Sequence, residues 1–158
     1  MWTTPALAQA PAATPSPATA LPATTLRLAD VGRFASFVDM DSWRPEGSAV
    51  RVRVLQVAES DFQVAGEAYW GGWRHELIDC NARTLAHAGF SSLRASGREG
   101  PVMGDQRPAV VPARGGTDEA VLKVVCDDWK PFAKVPVAGG VEEAVRIGRP
   151  LIESGAEP

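Results

Sequence analysis

The chain has 158 residues, 45% hydrophobic and 22% charged, with 16 Lys and Arg against 19 Asp and Glu for a net charge of −3. That mix excludes a wholly disordered chain. The lack of a basic run or stripe excludes the electrostatic footprint of a nucleic-acid binder, and no apolar run approaches the roughly 18 residues of a membrane-crossing helix.

In chain order, Met1–Ala10 comes first, and both Ala6-Leu7-Ala8 and Ala8-Gln9-Ala10 have the small-x-small form of a signal-peptidase site. The basic and apolar regions of a full signal peptide are missing, so the sequence starts inside a longer precursor or the match is an accident of Ala-rich composition. Residues 11–24, almost wholly Pro, Ala, Thr and Ser, cannot bury enough apolar surface to offset their ordering entropy. A tether after a processing site favours the first alternative. Residues 1–24 therefore read as a signal-peptide remnant and linker, and the periplasm, the cell surface or secretion is the expected location. No lipobox-type cysteine lies near this end.

The body, residues 25–130, is expected to form one α+β domain: an antiparallel sheet of about five to six strands with a C-terminal helix packed on it. Leu26-Arg27-Leu28 opens it. Phe34–Asp39 reads as a strand stopped by the polar stretch Arg44–Ser48. The next strand is the clearest, with Val50, Val52 and Val54 on one side and Arg51 and Arg53 on a solvated other. Phe62–Trp70 and Trp73–Thr84 read as a hairpin turning at Gly71-Gly72, and Ala88–Ala95 as a further strand. A Gly/Pro-rich loop spans 100–112. Thr117 then serves as N-cap of a helix, with Asp118 and Glu119 suiting its dipole and Val121, Leu122, Val125 and Cys126 forming its apolar face. Residues 131–158 read as an extension with a short helix, Val141–Ile147, limited by Pro150, and a frayed tail.

Cys80, in the fourth strand, and Cys126, near the helix end, are the two cysteines. In an oxidising compartment they read as one disulfide, worth about 4 kcal/mol by the chain-entropy argument. The alternatives are two separate buried thiols or a metal site completed by two further ligands without a recognisable spacing.

Tyr69-Trp70-Gly71-Gly72-Trp73 is the most suggestive surface feature, since Tyr and Trp dominate binding hot spots. Against it stands the reading preferred here, in which these rings cap the core and the glycines make the hairpin. His75 and His87 lack a nucleophile motif beside them. Asp39, Asp41, Asp79 and Asp127-Asp128 read as turn and edge chemistry, and Gly115-Gly116-Thr117 lacks the Lys of a P-loop. No catalytic, cofactor-binding or metal-binding residue is assigned, and no cofactor is expected.

These residues together resemble a family. Phe37-Val38-Asp39 with Asp41-Ser42-Trp43, the Val50–Val57 strand, Glu76–Cys80 with Arg83-Thr84, Val111-Pro112 and a helix ending Val124-Val125-Cys126 occur in the order seen in the surface-adhesin protein E family of Gram-negative bacteria, over roughly residues 28–128. The resemblance implies a small antiparallel sheet, a C-terminal helix on it and a strand-to-helix disulfide. It also implies an exported, non-enzymatic domain that binds a protein or envelope component, since the founding adhesin is a surface lipoprotein binding host matrix proteins. Tyr69, Trp70 and Trp73 are the candidate contacts. The alternative is a structural or assembly component of the envelope, for instance a homodimer formed through sheet edges.

Overall fold

The structure, a computed structural model, describes Leu21 and residues 23–158. The signal-type motifs and the Pro/Ala/Thr-rich stretch up to Ala20 lie outside the described residues.

The elements are β1 (Leu26–Val31), β2 (Phe34–Glu46), β3 (Ala49–Val64), β4 (Glu67–Asp79), β5 (Thr84–Arg94), α1 (Thr117–Asp127) and α2 (Val141–Ser154). All five strands pair antiparallel in chain order, forming a meander. Alternation along β3 sets the layers. Val52 and Val54 join Val38, Ile78 and Leu85 in a buried cluster closed by Val121, Leu122 and Val125 of α1. Leu55 and Val57 join Phe37, Trp73 and Leu93 in another, closed by Val141, Ala144 and Val145 of α2. A helix therefore covers each face; α2, expected as a short helix of an extension, is longer and packs on the face opposite α1.

Pro150 sits inside α2 instead of ending it. Beyond it, Leu151 and Ile152 pack on the same cluster as Ile147, and that burial offsets the hydrogen bond proline cannot donate. The helix approaches β2 through bare backbone: a Cβ on Gly148 would stand 2.8 Å from Ala35 Cβ and 3.2 Å from the Phe37 ring. Gly148→Leu is expected to destabilise by about 1–3 kcal/mol through overpacking. Urea unfolding would register this, and an unchanged midpoint would contradict the close approach.

Several boundaries differ from those expected. The β3–β4 turn is Ala65-Gly66, with φ of 50° and 82°, the two left-handed residues that a type I′ turn requires. Gly71 and Gly72 lie inside β4, not at a turn. A Cβ on Gly71 would fall 1.8 Å from the Gln56 carbonyl oxygen, and one on Gly72 2.2 Å from the Phe90 ring. These are close-approach glycines of a strand, so Tyr69, Trp70 and Trp73 share one strand. β2 continues past Asp39 because its ladder shifts register and resumes with Arg44 opposite Arg51. At α1, Gly116 is the N-cap and makes no side-chain bond; Thr117 is already helical, and its hydroxyl donates to Asp30 of β1.

The cysteines are bridged, with Cα atoms 5.4 Å apart. Cys80 opens the turn 80–83, one residue beyond β4, rather than lying within the strand, and Cys126 lies in the last turn of α1. The bridge thus ties the β4–β5 turn to the end of the helix. Both sheet edges are partly covered by the chain itself. Leu26 and Ala138 exchange backbone bonds beside β1, and Leu85 with Val110 and Phe90 with Met103 do so beside β5. The segment 100–112 is therefore a cover over an edge strand. No helix among the described residues is long and apolar enough to cross a membrane.

Candidate functional site

The β3–β4 hairpin reaches beyond the sheet. Its ladder shifts between Val57 and Phe62, and residues 59–67 are exposed. Phe62 is 41% exposed and Val64 52%. The Phe62 ring stacks on Tyr69 at 5.6 Å and 22°, and the Tyr69 hydroxyl donates to Glu67 at 3.1 Å. The Arg94 guanidinium lies 5.9 Å from the Tyr69 ring and also bonds Glu67. The result is an aromatic and apolar surface at the ribbon tip, edged by Glu59, Asp61 and Glu67.

The three aromatic candidates separate. Tyr69 contributes to this surface. Trp70 is half-buried against the α2-side cluster. Trp73 is fully buried, its ring under the Arg53 guanidinium at 4.1 Å, so it offers no contact surface. Phe62 was not foreseen; its signal was the alternation of Phe62 and Val64 among acidic and polar residues just before a turn.

The two histidines lie on opposite faces of β4 and β5. His87 joins Arg74, Glu76 and Asp118 between the sheet and the first turn of α1. Its Nδ1 is 2.8 Å from Glu76 Oε2 and its Nε2 3.6 Å from Asp118. Arg74 pairs with both carboxylates; its Nε stands 2.6 Å from Glu76 Oε1. That contact is off the hydrogen-bonding axis, so it is an electrostatic one. Glu76 is completely buried, and burial raises its carboxyl above the ordinary range against the pull of Arg74 and His87. Such a histidine between carboxylates invites an acid–base reading. Its nitrogens are occupied from within, however, and the cluster lines none of the hollows at the ribbon, at β1, beside α1 or at the β2–β3 end. Its geometry is that of a clamp between helix and sheet.

His75 lies on the other face, opposite Arg53. Burial lowers its pKa, followed by the charges of Arg53 and Arg51. The acids singled out in the sequence at the other turns are engaged there or in pairs. Asp79 accepts backbone N–H groups of Ala82 and Asn81, which lower its pKa together with Ser48. Asp127 pairs with Arg83, and Asp128 with Arg27 and Lys130. Among the described residues no group of three His, Cys, Asp or Glu side chains is arranged to hold a metal ion.

A five-stranded antiparallel meander with a helix on each face and a bridge from turn to helix defines an α+β domain of one particular type. It is the fold of protein E. In crystal form II of Haemophilus influenzae protein E the match has a TM-score of 0.52 at 12% identity, covering 75% of this chain and 98% of that one. A second Haemophilus influenzae protein E structure gives 0.53 at 10% identity, covering 73% and 92%. No family model and no curated protein matches the chain by sequence.

Proposed function

We propose that this chain is an exported, non-enzymatic domain of the surface-adhesin protein E type that binds a protein or cell-envelope component through the tip of its β3–β4 ribbon. One observation carries the reading: exposed Phe62 stacks on half-buried Tyr69, with exposed Val64 two residues along, on a ribbon whose residues lie outside both core clusters. An apolar surface of stacked rings on a stiff support is what a protein-binding hot spot needs. At its rim Asp61 and Glu67 are paired with Arg149 and Arg94, so the surface favours a partner that brings chiefly apolar contacts. The protein E fold supports the assignment, and a disulfide fits the oxidising setting of the periplasm or cell surface.

Edge-to-edge pairing of two copies finds less support, because both edge strands already bond their own chain. A photo-reactive residue in place of Val64 should crosslink to a defined partner in envelope or host-matrix extracts. The same probe at Arg146, on the outer side of α2, should not. Equal labelling from both positions would defeat the assignment to the ribbon.

A further inference from the structure

We propose that the hollow between the outer edge of β1 and the loop 130–137 is a binding site for a short aliphatic or aromatic carboxylate. It lies at the β1 edge of the sheet and does not depend on the function assigned to the ribbon. The hollow encloses about 130 Å³, and its walls include Arg27, Leu28, Lys130, Phe132, Val135 and Val137. An apolar cavity of about 150 Å³ takes up benzene, so the space suits a body of about that size.

The wall facing β1 is held in place. Phe132 and Val135 pack on the α2-side cluster. The Val135 N–H donates to the Phe132 carbonyl at 2.9 Å, and Leu26 and Ala138 exchange backbone bonds of 2.8 and 3.0 Å. Backbone bonding alternates along an antiparallel strand, so Leu28 turns its N–H to the same side as Leu26, and Leu28 lines the hollow. Val137, 50% exposed, keeps the mouth apolar. Apolar walls fixed in advance, with a few donors among them, are what a small-molecule site needs.

The charge around the hollow is positive. Arg27 and Lys130 both line it, while the one carboxylate they share, Asp128, does not. The Asp128 side chain is 65% exposed and that of Arg27 only 21%. Among the described residues the Arg27 guanidinium bonds a single oxygen of Asp128, through Nη1, which leaves Nε and Nη2 as donors. Lys130 reaches the other oxygen at 3.1 Å. The neighbouring Asp127 gives both its oxygens to Arg83, and residues 130–137 include Lys130 and Lys134 and no acid. Two cations at an apolar hollow, against one carboxylate turned to solvent, favour an apolar body that ends in a negative charge. The guanidinium fork matches a carboxylate, and a single charge at one end leaves the rest of the ligand free to rest on Phe132 and Val137 without burying an unpaired polar group.

The test is an NMR titration of the oxidised full chain with benzoate at constant pH and ionic strength, with benzyl alcohol and acetate as comparison probes. Benzoate is expected to give saturable shifts at the Leu28, Phe132 and Val137 amides, with a Kd on the order of 1 mM. Benzyl alcohol keeps the ring and lacks the charge; acetate keeps the charge and lacks the ring. Each should bind at least about tenfold more weakly than benzoate. Lys130→Gln should weaken benzoate about tenfold, the effect of losing one charge-assisted bond, and leave benzyl alcohol unchanged. Arg98→Gln, an exposed change elsewhere, should alter neither. Lys130 is exposed and pairs only with exposed Asp128 among the described residues, so the variant is expected to fold, and its far-UV circular dichroism and melting would verify this. Shifts that never saturate, equal binding of benzoate and either comparison probe, or equal weakening by both substitutions would overturn the site.

Discussion

Opening the Cys80–Cys126 bridge is expected to remove about 4 kcal/mol of stability, a large share of the roughly 5–15 kcal/mol that holds a domain folded. The bridged residues are 46 positions apart, so the cross-link denies the unfolded chain the freedom of a long loop. The loss should fall unevenly along α1. At its N-terminal end, Thr117 bonds Asp30 and Asp118 pairs with Arg74, contacts that reduction leaves intact. At its C-terminal end the bridge is the covalent hold, beside the burial of Val124 and Val125 and the exposed Arg83–Asp127 ion pair, which contributes little. Denaturant unfolding with and without reductant, followed by amide exchange, would resolve both parts: a lower midpoint, and earliest loss of protection at Val124–Asp127. Coincident unfolding curves for the oxidised and reduced forms would contradict the staple.

The second large effect concerns Glu76. Glu76→Ala leaves Arg74 and His87 under α1 without their buried partner, and breaking such a pair costs about 3–5 kcal/mol. The pH dependence has a definite sign. Burial raises the folded pKa of Glu76 above its unfolded value, with Arg74 and His87 opposing the rise and Asp118 adding to it. A carboxyl shifted upward contributes stability below its unfolded pKa and loses it as pH climbs through the folded one. Glu76→Gln cannot ionise and escapes that loss. Relative to the parent it should therefore gain stability as pH rises from about 4 to about 7. Unfolding midpoints of both proteins across this range would show the trend, and a gap constant with pH would contradict it.

Much of the fold was legible because local pattern and packing agree. Val50, Val52 and Val54 alternate where β3 is half-buried against α1, and the apolar spacing of Val121, Leu122 and Val125 marks the helix that covers them. The errors share a cause: one residue type serves two physical ends. Gly71-Gly72 looks like a turn, yet its glycines make room for Gln56 and Phe90. The true turn, Ala65-Gly66, needs an alanine in the left-handed region, which a propensity reading disfavours. Pro150 looks like a helix end and is overruled by the burial of residues on either side. The candidate surface was half legible. Tyr69 was in view, but the separation of Tyr69 from the buried Trp73 depends on the extra residue that β4 carries between Tyr69 and Gly71 against β5. The clamp of Arg74, Glu76, His87 and Asp118 needs cross-strand register and the docking of α1 together, and neither is written locally.

The measurement that bears most directly on the proposed function compares the parent with a Phe62→Ser, Tyr69→Ser double variant, both oxidised and both checked by circular dichroism. Each is immobilised and exposed to envelope and host-matrix extracts, and retained proteins are quantified by mass spectrometry. Both rings lie outside the two core clusters, so the variant should keep its fold. Binding through the ribbon predicts a component retained by the parent and reduced at least about tenfold by the double variant, the loss expected on removing a hot spot. Equal retention by the two proteins, or nothing above an unrelated control, would contradict it.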